Sequence, residues 1–223
     1  MTQLLQIDPE TQVAAGVQRS VFRHPTDQTK LIKVLRPETS RAARSNFNGV
    51  MDRLFPSTRL RQIRKEYQEY LRFMLSLPTP DYHVPISHMF GFVQTNLGLG
   101  GLTERIVAPD GGLGETLAAM VNINALAQSD LALLNDTIHR LFDSGLRASD
   151  LNAKNFVFGQ RYVADTLGPR DCVLVDGFGD IHAIPVRSMA LWSNHVALSR
   201  SCLKLARNTG MTWDSKRRVL TKA

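Results

Sequence analysis

Apolar and polar positions follow two different periods along this chain, and the change of period divides it. In residues 30–35, Lys-Leu-Ile-Lys-Val-Leu, strict alternation predicts a strand with Lys33 on the same face as Leu31 and Leu35. A lysine among apolar neighbours on a strand needs a partner, unless the strand is an edge and the lysine faces water. Residues 13–21 predict a hairpin around Gly16, and residues 84–92 and 97–107 two more strands, followed by a turn at Asp110-Gly111-Gly112. Between them, Leu60, Ile63, Tyr67, Tyr70, Leu71, Met74 and Leu75 keep helical spacing over residues 57–77. Ser57 or Thr58 caps that helix and Pro78 and Pro80 stop it. From Leu113 the pattern is helical, first through Leu117, Met120, Val121 and Ile123. Ser129 then caps a helix carrying Leu131, Leu134, Ile138, Leu141 and Phe142, with Gly145 at its C-terminal end. Strand signals return at residues 156–158 and 172–175, and residues 186–207 predict one or two helices. Residues 36–53 are arginine-rich with little periodicity, a loop or a short helix. The expected class is α+β: five strands with one helix, then helices, then a polar hairpin.

Composition narrows the setting more than the function. A chain of 223 residues, 43% hydrophobic, can bury a substantial core as one domain or two small lobes. No run of eighteen apolar residues predicts a membrane span, and Asp8 and Glu10 interrupt what a secretory leader would need. Two cysteines make no disulfide framework, so a reducing, cytoplasmic setting is the simplest expectation. Six scattered histidines have no metal-site spacing, and no serine sits in a G-x-S-x-G context. The net charge of +7 suits nucleic acid, anionic membrane surfaces, phosphate ligands or acidic proteins alike. A nucleic-acid partner is disfavoured, because no aromatic residues interleave with the basic ones and no nucleic-acid motif is present.

The densest candidate chemistry lies in residues 146–180. Asp150 and Asn155 sit five residues apart in Ser-Asp-Leu-Asn-Ala-Lys-Asn, just before an apolar run. Residues 172–175 deliver Asp176 into Gly177-Phe178-Gly179. Asp, Asn and Gly also favour ordinary turns. Two carboxylates and an amide at the ends of two short strands are nonetheless what a nucleotide–Mg²⁺ site requires: oxygen ligands for a hard cation, and a further carboxylate to orient an attacking hydroxyl.

In order and spacing these residues resemble the protein-kinase loops H-R-D-L-x-x-x-N and D-F-G. The resemblance implies Asp150 as catalytic base, Asn155 and Asp176 as metal ligands, and ATP and Mg²⁺ as cofactors. It also implies that Lys33 reaches the nucleotide phosphates and pairs with a helix glutamate, Glu66 in preference to Glu69. Aligned to the glycine-rich loop, the chain keeps Gly16 and Val21, with Ala14 and Arg19 in place of the outer glycines. Arg19 could then supply phosphate contacts through its guanidinium, although an isolated surface hairpin would read the same way. Glu104, Arg105 and Ile106, after a glycine-rich strand, would be the hinge whose backbone meets adenine.

More specifically the chain resembles the YrbL family of PhoP regulatory network proteins, which look like reduced protein kinases. The residues that carry this are Gly16-x-x-Arg19 with His24-Pro25, Ile32-Lys33-Val34, Lys65-Glu66-Tyr67, Ala108-Pro109-Asp110-Gly111, Lys154-Asn155-Phe156-Val157, Asp176-Gly177-Phe178-Gly179-Asp180, Ile184-Pro185 and Trp192-Ser193. They span residues 13–204 or so. The implied architecture is a reduced two-lobed kinase-like fold. Residues 1–107 form a five-stranded lobe with helix 57–77, and residues 108–223 a small helical lobe with catalytic loop 148–155 and metal loop 176–179.

Ala148 and Ser149 stand where active kinases have His and Arg, and only 47 residues follow Asp176, few for a protein-substrate platform. The expected function is ATP/Mg-dependent phosphotransfer to an unknown acceptor, whether small molecule, glycan or protein. The alternative is a pseudokinase-like regulator that binds nucleotide or a signalling protein in a two-component, PhoP-type network without turnover.

Overall fold

The computed structural model describes residues 4–16, 19–35, 57–77, 79, 81–148, 151–163, 166–179 and 191–222, with side chains of the two long helices from residues 63 and 193. Its chain contacts form two compact units, residues 1–60 with 88–105 and residues 61–87 with 106–223.

The first unit is an antiparallel sheet of order β1-β2-β3-β5-β4. Its strands are β1 (Gln12–Ala15), β2 (Arg19–Arg23), β3 (Lys30–Leu35), β4 (Met89–Thr95) and β5 (Gly98–Glu104). The alternation of β3 sorts its faces cleanly: Ile32 and Val34 are buried, while Leu31, Lys33 and Leu35 are half-buried. Ile32 and Val34 pack with Phe22 and with Ile7, whose segment is held against the edge by Leu5 N–H donating to Gln94 C=O at 2.9 Å. The packed core of this unit is therefore the face opposite Lys33. Because β3 is an inner strand, an edge-strand lysine is excluded.

Two strand expectations shift. Residues 84–88 were expected to open a strand that instead begins at Met89. Val84 and Ile86 are buried in the second unit, where Ser87 N–H donates to Leu174 C=O at 3.1 Å and Leu174 N–H to Pro85 C=O at 3.0 Å. Their hydrophobicity serves another sheet. In β5, Gly100 serves packing too, since a Cβ there would come within 2.5 Å of Ile32 Cγ2.

The second unit takes most of helix α1 (Ser57–Leu75), then β6 (Glu115–Thr116), α2 (Leu117–Asn122), α3 (Gln128–Asp143), β7 (Phe156–Val163), β8 (Thr166–Leu174), α4 (Leu191–Thr209) and a terminal hairpin, β9 (Met211–Asp214) with β10 (Val219–Lys222). Contacts thus group α1 from Arg61 with this unit, whereas the sequence places the whole helix in residues 1–107. The capping roles of Ser57 and Thr58 and the stops at Pro78 and Pro80 lie outside the described residues. Helix α3 starts one residue before the expected cap. Ser129 lies inside its first turn, and the N-terminal N–H of Ala127 is satisfied by the Asp130 carboxylate at 3.1 Å. At the other end Gly145 takes a φ of 61°, the left-handed conformation a helix stop favours. No helix among the described residues is long and apolar enough to cross a membrane.

The element order matches the expectation: five strands interrupted by one helix, then helices, then the hairpin β7–β8 beside β6.

Candidate functional site

The hairpin β7–β8 sets the geometry of the polar loops. Phe156 pairs with Leu174 and Phe158 with Cys172, all of them inaccessible, so the hairpin base is fixed by packing. One step beyond the ladder, Val175 N–H donates to Asn155 C=O at 2.8 Å. That bond brings the two proposed metal ligands together, since Asn155 closes one loop and Asp176 opens the other on adjacent strand ends. Both are half-buried. Asn155 N–H turns back to Asn152 C=O at 2.8 Å, and Lys154 N–H donates to Asn152 Oδ1 at 3.1 Å. The loop is thus folded by its own asparagine, and Ala153 C=O accepts from Ala118 N–H at 3.0 Å, tying it to α2. Asp150, the expected catalytic base, lies outside the described residues.

The metal loop is set by glycine. Gly177 and Gly179 have φ of 84° and 98°, and Gly177 N–H caps the Asp176 carboxylate at 2.7 Å. Gly179 N–H donates to Arg147 C=O at 2.7 Å, and Ala148 forms a bridge with buried Phe178. The strand-like start of the Asp150 loop and the Asp176 turn are therefore bonded directly to each other. A Cβ on Gly179 would lie 3.1 Å from Lys65 C=O and 3.2 Å from Glu66 N, so the turn also rests on the backbone of α1.

Glu66 and Glu69 are both buried on α1, and the structure separates them. Glu69 accepts from Arg72 Nε at 3.0 Å and from Arg147 N–H at 2.8 Å, with Arg147 Nη1 at 3.6 Å. It is an anchor between the helix and the loop. The i, i+3 spacing of Glu69 and Arg72 is legible in sequence; the long-range partner Arg147 is not. Sequence reasoning also passed over Asp171, which accepts from His83 Nε2 at 2.8 Å and Arg140 Nη2 at 3.2 Å. Burial pushes the Asp171 carboxyl upward, but His83 and Arg140 outweigh it and hold it below the usual range.

In the first unit, Val21, Lys33, Gly101 and Phe92 are successive neighbours across one face of the sheet. Gly101 carries no side chain beside Lys33, and the Phe92 ring lies over it, 3.7 Å from where a Cβ would stand. Gly16 N–H donates to Arg19 C=O at 2.8 Å, closing the β1–β2 hairpin. Gly16 does not take a left-handed φ, and a Cβ there would meet Arg19 O at an ordinary 3.4 Å. The hairpin itself does not demand a glycine at this position. Lys33, Gly16 and Arg19 belong to the first unit, and Glu66, Asn155 and Asp176 to the second.

Backbone groups at the expected hinge have partners within the fold. Glu104 N–H donates to His88 C=O at 2.9 Å and Arg105 N–H to Thr29 C=O at 2.9 Å, while Ile106 C=O accepts from Gly114 N–H at 2.9 Å. The side chains turn inward as well: Glu104 accepts from His88 N–H at 3.0 Å, and Arg105 Nη1 donates to Gln28 C=O at 3.1 Å. The Glu104 and Arg105 amides thus donate within the first unit.

The residues suit Mg²⁺, which needs near-octahedral oxygen coordination but only one or two protein ligands, the rest coming from phosphates and water. Among the described residues no group of three or more His, Cys, Asp or Glu forms a self-sufficient metal cage. An amide and a carboxylate on adjacent strand ends fit a cation shared with a phosphate ligand.

Comparison with known proteins gives one family. The model of the PhoP regulatory network protein YrbL family matches residues 5–210. No curated protein matches the chain. Among solved structures, the kinase domain of Mycobacterium tuberculosis PknI, crystallised as a double mutant, aligns at 16% identity and a TM-score of 0.45, covering 87% of this chain and 71% of that one.

Proposed function

The chain belongs to the YrbL family of PhoP regulatory network proteins, and from that premise we propose that it is an ATP- and Mg²⁺-dependent phosphotransferase. The observation that supports the reading is the 2.8 Å bond from Val175 N–H to Asn155 C=O, which brings the backbone at Asn155 next to the strand end that leads into Asp176 and its glycine-shaped turn. Bound Mg-ATP would supply the phosphoryl group and the cation that neutralises its charge.

Each polar residue then has a task. Asn155 and Asp176 hold the cation. Lys33, on the inner strand β3, neutralises phosphate oxygens, and Arg19 adds a guanidinium near the β1–β2 turn. Gly16, which the hairpin does not require, lets backbone approach a phosphate closely. Asp150 accepts the proton of the acceptor hydroxyl. Glu66 backs the metal loop where α1 meets Gly179, and Ile106, with its N–H, is the hinge donor of first choice. The acceptor is a small molecule, a glycan or a protein.

The test is thermal unfolding with and without Mg-ATP for the parent and Asp176→Ala. Ligand at about a hundred times its dissociation constant stabilises by roughly 2.7 kcal/mol, a midpoint rise of about 5–10 °C for a chain this long. We expect that rise in the parent and its loss in the variant. No rise in the parent would refute nucleotide binding, and an equal rise in Asp176→Ala would refute the metal assignment.

A second reading is a pseudokinase-like regulator, acting through nucleotide or protein binding without turnover. The committed amides of Glu104 and Arg105 favour it, as does Ala148 in place of the kinase histidine. Asp150→Ala separates the two, since it should spare binding and remove phosphoryl transfer. If the parent binds Mg-ATP and transfers nothing, the second reading stands.

A further inference from the structure

The basic charge of this chain is not spread evenly. Residues 191–223 hold seven Lys and Arg against the single Asp214, a net +6 of the chain's +7, while the preceding 190 residues are almost neutral. Helix α4 contains no acidic residue at all.

The helix sorts its residues by face. Asn194, Leu198, Cys202, Leu205 and Ala206 are buried, and the hairpin β9–β10 lies along one flank, with Trp213 Nε1 donating to Ser199 Oγ at 3.0 Å. On the far side Val196, Arg200, Leu203, Lys204 and Arg207 are all exposed. Their offsets of 4, 7, 8 and 11 place them on a single stripe roughly 100° wide. Val196 and Leu203 keep 43% and 40% of their surface open along one edge of it, with the three cations beside them. Elsewhere in this unit guanidinium groups are tethered to carboxylates: Arg72 to Glu69, Arg140 to Asp171, Arg170 to Asp130 and Arg218 to Asp143. Among the described residues no carboxylate comes within ion-pair distance of Arg200, Lys204 or Arg207.

We propose that the exposed stripe of α4, Val196, Arg200, Leu203, Lys204 and Arg207, docks the protein on an anionic lipid bilayer. Long cations with no carboxylate in ion-pair reach suit a diffuse plane of charge, and the two aliphatic side chains beside them can enter the headgroup boundary. A nucleic-acid backbone offers nothing to those aliphatic groups, and the stripe has no aromatic side chain on which a base could stack. A folded acidic protein would need counter-charges in register with side chains that nothing here holds in place. The contact is peripheral: the opposite face of the helix stays in the core.

The test is co-sedimentation of the full chain with vesicles of phosphatidylglycerol and phosphatidylcholine, against phosphatidylcholine alone. The parent should pellet with the anionic vesicles only, and less as salt rises. A basic residue near such a surface strengthens partitioning about fivefold, so the triple variant Arg200→Gln, Lys204→Gln, Arg207→Gln should partition roughly a hundredfold more weakly. Val196→Ser with Leu203→Ser should weaken binding in a way salt does not reproduce. Unchanged thermal midpoints verify that these surface variants fold; if the triple variant does not, the Arg200→Gln and Arg207→Gln single variants carry the test. No sedimentation of the parent at low salt overturns the proposal, as does equal sedimentation of parent and triple variant. Salt-sensitive binding to duplex DNA or polyglutamate without vesicle binding also overturns it and reassigns the face to another polyanion.

Discussion

Replacing Gly179 by alanine probes two effects at once, and a second glycine separates them. At a φ of 98° an alanine is strained, by about 1–3 kcal/mol. Its Cβ would also sit 3.1 Å from Lys65 C=O and 3.2 Å from Glu66 N, closer than atoms of those types normally come. The neighbours are helix backbone and cannot swing aside, so the clash adds about 1–3 kcal/mol, as overpacking does elsewhere. Gly111 lies in the same unit at a φ of 80°, with nothing within 4 Å of its would-be Cβ. Gly111→Ala therefore reports strain alone. At about 2–4 °C per kcal/mol, Gly179→Ala should melt about 5–15 °C below the parent and Gly111→Ala about half as far. Thermal unfolding followed by circular dichroism measures both. If Gly179→Ala is no worse than Gly111→Ala, the turn does not press on α1 and the placement of the metal loop is wrong.

Two further outcomes follow from buried charge. Glu69→Ala leaves the Arg147 N–H and a partly buried Arg72 without their acceptor and should lower stability by about 2–4 kcal/mol in urea titration, more than Glu69→Gln; equal effects would show that the charge is unimportant. Asp171, held below its usual pKa chiefly by His83 and Arg140 against the opposing effect of burial, stabilises the fold above the unfolded-state value near 4. That stability is lost as pH falls through the lower folded value, so unfolding free energy should drop on acidification below about pH 4 and drop less in Asp171→Asn. The same pH slope in both proteins would refute the assignment.

Much of the fold was legible because single residues obeyed one period. Strand β3 has the bounds that alternation predicts, Lys30–Leu35, since each residue there faces one environment. Where one stretch serves two sheets, pattern fails: Val84 and Ile86 read as the start of β4, yet they are buried against β8. Gly100 read only as part of a glycine-rich strand ahead of a hinge, whereas it is small because Ile32 fills its space. The terminal hairpin is not among the predicted elements although Thr212, Trp213, Val219 and Thr221 carry β-propensity, because the polar, basic turn at Lys216-Arg217-Arg218 breaks the apolar pattern between its short strands. In the candidate site, Asn155, Asp176 and Glu66 could be named from spacing. The Glu69–Arg147 tie could not, because 78 residues separate its partners.

That separation bears on how the molecule assembles. The turn at Asp176 rests on three strips of chain, around residues 65, 147 and 178, that are remote in sequence. Each must arrive before the turn has anything to lean on, and closing such long loops is slow compared with forming α3 or the β7–β8 hairpin. The turn at Asp176 therefore acquires its shape after α3 and the β7–β8 hairpin, and a newly made chain completes these local elements first.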